Sequence, residues 1–329
     1  VNKNAIMPMN EFSLIQTYFA AHALSRSDVL LGIGDDAALC QVPAGQVLAV
    51  SVDTLVAGAH FPLDTTPFDI GYKALAVNLS DMAAMGAQPA WFTLALTLPA
   101  ADADWLAAFS RGLLHLAQQF QVALIGGDTT CGALTISVQI MGFCPPALAI
   151  KRQGAQVGEG IYVTGTLGDA GVALRVLLGE MALSQAQLAQ VLPRLQRPTP
   201  RVAAGLALRG LASSAIDVSD GLLADLGHVL DSVGLGAELY LPDLPLSPLL
   251  QALPPALAWQ MALTAGDDYE LCFTLPVAHS AQVSQKLASS ACVTRCTRIG
   301  TVTQAPGIVC LEAPERIYVV PSSSGYRHF

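Results

Sequence analysis

Two stretches in the first half of the chain alternate between apolar and polar positions. Leu94, Leu96 and Leu98 alternate with Thr93, Ala95 and Thr97, and Leu134, Ile136, Val138 and Ile140 alternate with Thr135, Ser137 and Gln139. A period of two predicts strands with one buried and one polar face. Residues 47–52 read as a third strand that runs straight into Asp53. Elsewhere the period is helical. Leu106, Phe109, Leu113, Leu116 and Phe120 form an apolar stripe that predicts a helix over 102–120. Another helix is predicted from Pro67, with Thr66 as its cap, to about Ala84, stopping at Gly86. The Pro- and Gly-rich segment 145–160 reads as a linker. Beyond it the pattern restarts with a strand at 161–164, helices after Gly168 and Pro200, and a short strand at 215–217. A helix from Ser219 and strands at 238–241 and 269–274 complete it. Each half mixes strands and helices, so the fold class is α/β, with α+β mixing, in two domains, 1–147 and 148–329.

Composition narrows this picture. A chain of 329 residues suits two cores better than one. With 53% hydrophobic and 12% charged residues, intrinsic disorder is excluded. Three long stretches carry no charge, 82–101, 129–150 and 244–266, which raises the question of a membrane. Each is interrupted by Pro or Gly, whereas a spanning helix needs ~20 largely unbroken apolar residues, so no membrane partner is expected. No basic region followed by an apolar run opens the chain, so no signal peptide is expected. The seven Cys form no CxxC pair and read as free thiols of a cytoplasmic protein. A net charge of −9 argues against a general nucleic-acid binder. Within that balance there are 18 Asp but only 7 Glu. Asp suits caps, turns and sites for hard cations better than helix surfaces.

The Asp residues recur in short motifs. GIGDDAA (Gly32–Ala38) matches GxGxxA, with Asp53 near the place of a ribose-binding acid. A dinucleotide-binding turn would open a helix, yet Pro43 and Gly45 follow at once. Asp35 and Asp36 would also face the pyrophosphate, at about 3 kcal/mol for each like pair ~6 Å apart at an effective dielectric of 20. SVDT (Ser51–Thr54) delivers Asp53 at the end of a strand, with His60 seven residues on. NLSDMAAMGA (Asn78–Ala87) places Asp81 in an apolar helix, on the same face as Lys73, where an internal ion pair would also account for it. IGGDTT (Ile125–Thr130) reads as a strand followed by two glycines, Asp and two hydroxyls that offer free amides and close backbone approach to phosphate, or as a glycine turn with an Asx cap. In DVSDGL (Asp217–Leu222), Ser219 or Asp220 would cap the next helix, or the exposed amides would hold an anion. AGDDYEL (Ala265–Leu271) repeats the paired carboxylates. Together Asp36, Asp53, Asp81, Asp128, Asp217 and Asp220 give six carboxylates beside Gly, Ser or Thr, with no GxxxxGK[ST] loop in the chain. Oxygen donors with few cations point to Mg²⁺, nucleotide phosphates and phosphoryl transfer.

These motifs, in this order, resemble the thiamine-monophosphate kinase family, of the superfamily that includes aminoimidazole ribonucleotide synthetase. The resemblance runs from NEFSLIQTYF (Asn10–Phe19) through SVDTLVAGAHF, YKALAVNLSDMAAMGA, IGGDTT, KRQGAQVGE, YVTGTLGDA, RPTPRV, SAIDVSDGL and GDDYELCF to the terminal GYRHF. It implies ATP-dependent phosphorylation of thiamine monophosphate to thiamine diphosphate. It implies an N-terminal ATP- and metal-binding domain that pairs into a β-barrel across a homodimer. It also implies a C-terminal α/β domain that completes an active-site cleft. By position, Asp36, Ser51, Asp53, Asp81, Asp128, Asp217 and Asp220 correspond to the family's ligands for several Mg²⁺. Gly127, Asp128, Arg152 and Ser219 correspond to ATP contacts, and His60, Asp267 and Tyr326 to substrate contacts. The family's Thr before the second-motif Asp is Val52 here, and its GEDYEL reads GDDYEL, which leaves Asp267 or Asp268 as the substrate-facing acid, with Asp267 favoured.

The acceptor is then a phosphate monoester, mostly ionised at neutral pH because its second pKa is ~6. It needs neither a general base nor a covalent nucleophile, so direct in-line transfer is expected. Two alternatives stand beside this: another ATP-using enzyme of the same superfamily, and a non-catalytic module that binds ATP and Mg²⁺.

Overall fold

A computed structural model of the chain describes residues 11–289 and 293–320. Tyr326 lies outside the described residues. By internal contacts the chain falls into two compact units. The first takes the described residues within Val1–Ala44, Val50–Asn78 and Pro89–Gly142, and the second those within Gly45–Ala49, Leu79–Gln88 and Phe143–Phe329.

The first half of the chain runs α1 (Glu11–Tyr18), β1 (Val29–Leu31), β2 (Leu39–Cys40), β3 (Val47–Val56), α2 (Pro67–Ala84), β4 (Gln88–Leu98), α3 (Ala103–Phe120), β5 (Ala123–Cys131) and β6 (Thr135–Cys144). The predicted helix starts follow from their caps. Thr66 Oγ1 accepts the Asp69 amide at 3.3 Å and donates to the Asp69 carboxylate at 2.6 Å. Asp102 accepts the Trp105 amide at 2.9 Å. Such caps contribute about 1 kcal/mol each by occupying amides that the first helical turn leaves unpaired. The sheet order is β3-β6-β4-β5, with β4 and β5 parallel. The alternation resolves as predicted at Leu94, Leu96, Leu98, Ile136, Val138 and Ile140, all buried, whereas Leu134 falls just before β6 and is half-buried. α2 and α3 touch backbone to backbone. A Cβ on Gly71 would lie 2.1 Å from the Phe109 carbonyl oxygen, and one on Gly112 would lie 1.9 Å from that of Phe68. Only glycine permits that approach.

The second half runs β7 (Gly160–Thr164), α4 (Asp169–Leu177), α5 (Gln185–Gln196), α6 (Val202–Leu208), β8 (Ser214–Asp217), α7 (Leu222–Asp231), β9 (Gly236–Tyr240), α8 (Pro248–Gln251), α9 (Pro255–Thr264), β10 (Leu271–Leu275), α10 (Ser280–Ser289), β11 (Cys296–Thr303), β12 (Gly307–Ala313) and β13 (Arg316–Ile317). Its seven-stranded sheet has the order β13-β12-β9-β11-β7-β10-β8. β9 and β12 pair in parallel and the other neighbours antiparallel. One apolar cluster, including Ile161, Val163, Ile216, Leu226, Leu239 and Ile299, joins this sheet to α7. A second, including Val172, Val191, Leu195, Leu250 and Met261, joins α4, α5, α8 and α9. The class is therefore mixed α/β, as expected. Among the described residues no helix is long and apolar enough to cross a membrane.

Candidate active site

The second unit assembles three of the motifs. The end of α2 carries Ser80 and Asp81, β8 ends on Asp217, and the segment after α9 carries Asp267 and Asp268. Asp217 is 5% exposed. Burial, and after it the nearby Asp81 carboxylate, raise its carboxyl to about 7. The nearby Ser80 hydroxyl and the Arg152 guanidinium oppose the rise. Two carboxylates facing one basic group form a local excess of negative charge in a desolvated place. A hard cation or a cation-bound phosphate relieves that excess, so the oxygen-only donor set fits Mg²⁺.

The turn after β8 is zipped to the loop before β10. The Asp267 amide donates to the Ser219 carbonyl, the Tyr269 amide to the Val218 carbonyl and the Val218 amide to the Glu270 carbonyl, each at 2.8 Å. Close approach demands glycine on both sides. Gly266 has φ +71°, and a Cβ there would sit 2.4 Å from the Ser219 oxygen. Gly221 has φ +116° and abuts Thr264. The sequence places the cap of α7 at Ser219 or Asp220 and leaves the amides open to an anion. The structure corrects this. Asp225 Oδ2 accepts the amides of Ser219, Asp220 and Gly221 at 3.0, 3.0 and 3.1 Å. Burial lifts the Asp225 carboxyl to about 7, with Asp217 and Asp220 adding to the rise and the amides of Asp220 and Gly221 opposing it. The alternation in the GDDYEL loop is equally informative. Asp268 is buried and takes the Gly168 amide on both oxygens, at 2.9 and 3.0 Å, while Asp267 is half-buried.

The first unit holds Asp36, Ser51, Asp53, His60, Gly127 and Asp128. GIGDDAA opens no helix; Asp36 is exposed and its amide donates to the Asp35 carboxylate at 2.9 Å, ahead of β2. In β3 the even positions Val50, Val52, Thr54 and Val56 are exposed, whereas Ser51 and Asp53 lie on the opposite, half-buried face. A hydroxyl at position 52 would therefore point away from Asp53. His60 Nδ1 accepts the Val56 amide at 3.0 Å, which places the proton of a neutral ring on Nε2. Lys73 Nζ donates to the His60 carbonyl at 3.3 Å. The glycine-turn reading of IGGDTT is overturned, because Gly126–Thr130 lies inside β5, paired with β4 from Thr93↔Gly126 onward after a register shift. A Cβ on Gly127 would come 2.0 Å from the Leu94 oxygen, so glycine serves strand pairing there. Any open amides of this motif belong to the outer side of an edge strand. Among the described residues no three His, Cys, Asp or Glu side chains converge to hold a metal ion. Mg²⁺ commonly takes only one or two carboxylates and completes its shell with water and phosphate oxygens.

Two profiles of one superfamily cover the chain: AIR synthase related protein, N-terminal domain, over residues 34–144, and its C-terminal domain over 156–311. The thiamine-monophosphate kinase of Escherichia coli K12 is 52% identical over 272 residues, spanning 82% of this chain and 84% of its own. The chain belongs to the thiamine-monophosphate kinase family. The crystal structure of thiamine-monophosphate kinase from Stenotrophomonas maltophilia superposes with a TM-score of 0.84 at 48% identity, over 92% of this chain and 97% of that one. AaThiL, solved in complex with AMPPCP and TMP, superposes with a TM-score of 0.76 at 28% identity, over 88% of this chain and 89% of its own.

As a thiamine-monophosphate kinase family member the chain is an enzyme, and its second unit holds charged groups that the motif reading passed over. Asp225 sits on the buried stripe of α7 between Leu222 and Leu226, and an acid on such a stripe signals a partner. Glu270, at the foot of an apolar strand, is fully buried and takes bonds from Arg194, Arg201 and Thr164. The acid was visible in the sequence, but its partners lie 69, 76 and 106 residues away.

Proposed function

We propose that this chain transfers the γ-phosphoryl group of ATP to thiamine monophosphate, giving thiamine diphosphate and ADP. The observation that carries the proposal is the buried Asp217 with Asp81 and Arg152 near it, in a chain of this family. Asp36, Ser51, Asp53, Asp81, Asp128, Asp217 and Asp220 are assigned to several Mg²⁺ ions, and Gly127, Asp128, Arg152 and Ser219 to ATP. His60 and Asp267 are assigned to the thiamine substrate, Asp267 because Asp268 is committed to Gly168. When bound, Mg²⁺ supplies positive charge against the phosphates. The chain's own residues supply position. Asp225 holds the Ser219–Gly221 amides, the paired main chains fix Asp217 relative to Asp267, and Arg152 lends charge at the Asp217 end. The acceptor phosphate arrives ionised, so no residue is assigned as general base or covalent nucleophile.

We assign the partner of the exposed β3 face, Val50, Val52, Thr54 and Val56, to a second copy of this chain, as a homodimer. The free thiols, among them Cys144, Cys272 and Cys310, suit a reducing cytoplasm. The test is a coupled assay with ATP, Mg²⁺ and thiamine monophosphate, alongside rapid quench with labelled ATP alone. ADP should form only with the acceptor present, and no label should remain on the protein. Binding of ATP without turnover would instead favour a non-catalytic module, and labelled protein would overturn direct transfer.

A further inference from the structure

Glu270 is a fixed point in the second unit. Its Oε1 accepts from Arg194 Nη2 at 2.6 Å and Arg201 Nη2 at 2.5 Å, and its Oε2 accepts from Arg201 Nε and Thr164 Oγ1, both at 2.6 Å. The side chain has no exposed surface. The Arg201 fork grips both oxygens, a geometry lysine cannot reproduce. The Thr164 hydroxyl also accepts the Leu271 amide at 2.8 Å, so the grip reaches the β10 backbone directly. Both arginines flank the short connection from α5 to α6, which contains Pro198 and Pro200.

What this cluster anchors is a strained loop. Gly266, Asp267 and Tyr269 have φ of +71°, +59° and +51°. Left-handed backbone at non-glycine residues persists only where the surroundings over-determine it. Asp268, bonded to Gly168, and Glu270 are the inward anchors on either side of Tyr269. From Glu270 the constraint continues along the main chain to Val218, and Asp267 and Tyr269 bond back to Ser219 and Val218. A buried ion cluster is by itself weak evidence for stability. At the foot of a strained loop its consequence is geometric.

We infer that Glu270, gripped by Arg194, Arg201 and Thr164, is a positioning residue that holds the 266–270 loop presenting Asp267 and, through the paired main chains, the Asp217–Asp220 turn. This rests on the assignment of Asp217, Ser219 and Asp267 to the site made above.

The test uses Glu270→Gln and Arg201→Lys in the full chain, at a temperature where circular dichroism shows both folded. Hydrogen exchange in peptides covering 217–221 and 266–270 should quicken by about tenfold or more, with β9 and β11 unchanged. For thiamine monophosphate, kcat/KM should fall about tenfold in Glu270→Gln and in Asp267→Asn, and the double variant should fall no further than the worse single one. Unchanged exchange at both loops, or additive kinetic losses, would overturn the inference. Should Glu270→Gln fail to fold, Arg201→Lys, which keeps the charge and loses the fork, carries the same measurements. Asp267→Asn with unaltered kinetics would sink the substrate assignment and with it the catalytic part of the inference, while loop exchange still reads the grip of Glu270 on its own.

Discussion

At the scale of single residues, the candidate site turns on what each carboxylate faces. Asp225 and Asp268 are committed to backbone amides. Asp81 and Arg152 lie near enough to Asp217 to act on its charge, and Asp128 sits exposed on edge strand β5. Replacing a metal-binding carboxylate by its amide removes charge while keeping shape. Asp81→Asn and Asp128→Asn should therefore each lower turnover by more than ~100-fold with the fold intact. Steady-state rates at saturating Mg²⁺, with circular dichroism as control, check this, and near-wild-type rates would remove the residue from the set. His60 is held by Val56 through Nδ1, so it presents a defined tautomer. Loss of one hydrogen bond to substrate is worth about tenfold, so His60→Ala should raise KM for thiamine monophosphate by that factor and leave KM for ATP nearly unchanged. An equal rise in both would count against a substrate role.

At the scale of elements, the loops before α4 and β10 are joined through a carboxyl whose protonation matters for stability. Burial pushes the Asp268 carboxyl well above the ordinary value of 3.8. The Gly168 amide and Arg194 pull it down, and Glu270 and Asp169 push it up. The folded state then binds a proton that the unfolded state releases. That stability is complete below the unfolded pKa and is lost as pH rises through the folded one. Asp268→Asn should accordingly flatten the fall of unfolding free energy with pH, by up to about 1.4 kcal/mol per pH unit between the unfolded and the raised folded pKa. Urea titrations from about pH 5 to 8 measure it, and parallel slopes would show that Asp268 carries the same charge in the folded and unfolded states there. The elements also show where sequence reading succeeds. α2, α3, β4 and β6 were legible because cap, stripe and alternation are local signals. α8 and α9 were not, because Pro248 and Pro255 read as breakers when they are the first residues of helices. Gly127 looked like part of a turn because its need for glycine comes from Leu94 on a neighbouring strand. The family resemblance reached the candidate site residues, but their supports, Asp225, Arg194, Arg201 and Glu270, are tertiary and carry no local pattern.

At the scale of the whole molecule, one surface lacks an explanation within a single chain. β3 is a ten-residue edge strand whose outer face exposes Val50 by 51%, Val52 by 60% and Val56 by 36%. Thr54 on that face bonds Ser137 of β6 at 2.8 Å, so the open side of the sheet continues from β3 onto β6. Leu30 and Leu39 of the β1–β2 pair are also more than half exposed. A long apolar edge in water invites pairing with another strand, and proteins that leave one uncharged cover it. No charged residue guards the outer face of β3 from Val50 to Val56, so the sequence takes no measure against pairing. A second copy of the same strand offers the same apolar face and closes a symmetric contact. Sedimentation velocity at micromolar concentration should give about twice the 34.2 kDa chain mass. A chain with Val50→Lys and Val52→Lys together should sediment as a monomer, since two buried, unpaired ammonium groups on each side of the contact oppose association. A wild-type monomer at those concentrations would rule out the second copy as the partner of this face. A dimer that survives both lysines would move the contact to another surface. Because Ser51 and Asp53 lie on the other face of the same strand, covering Val50 and Val52 does not cover their side chains.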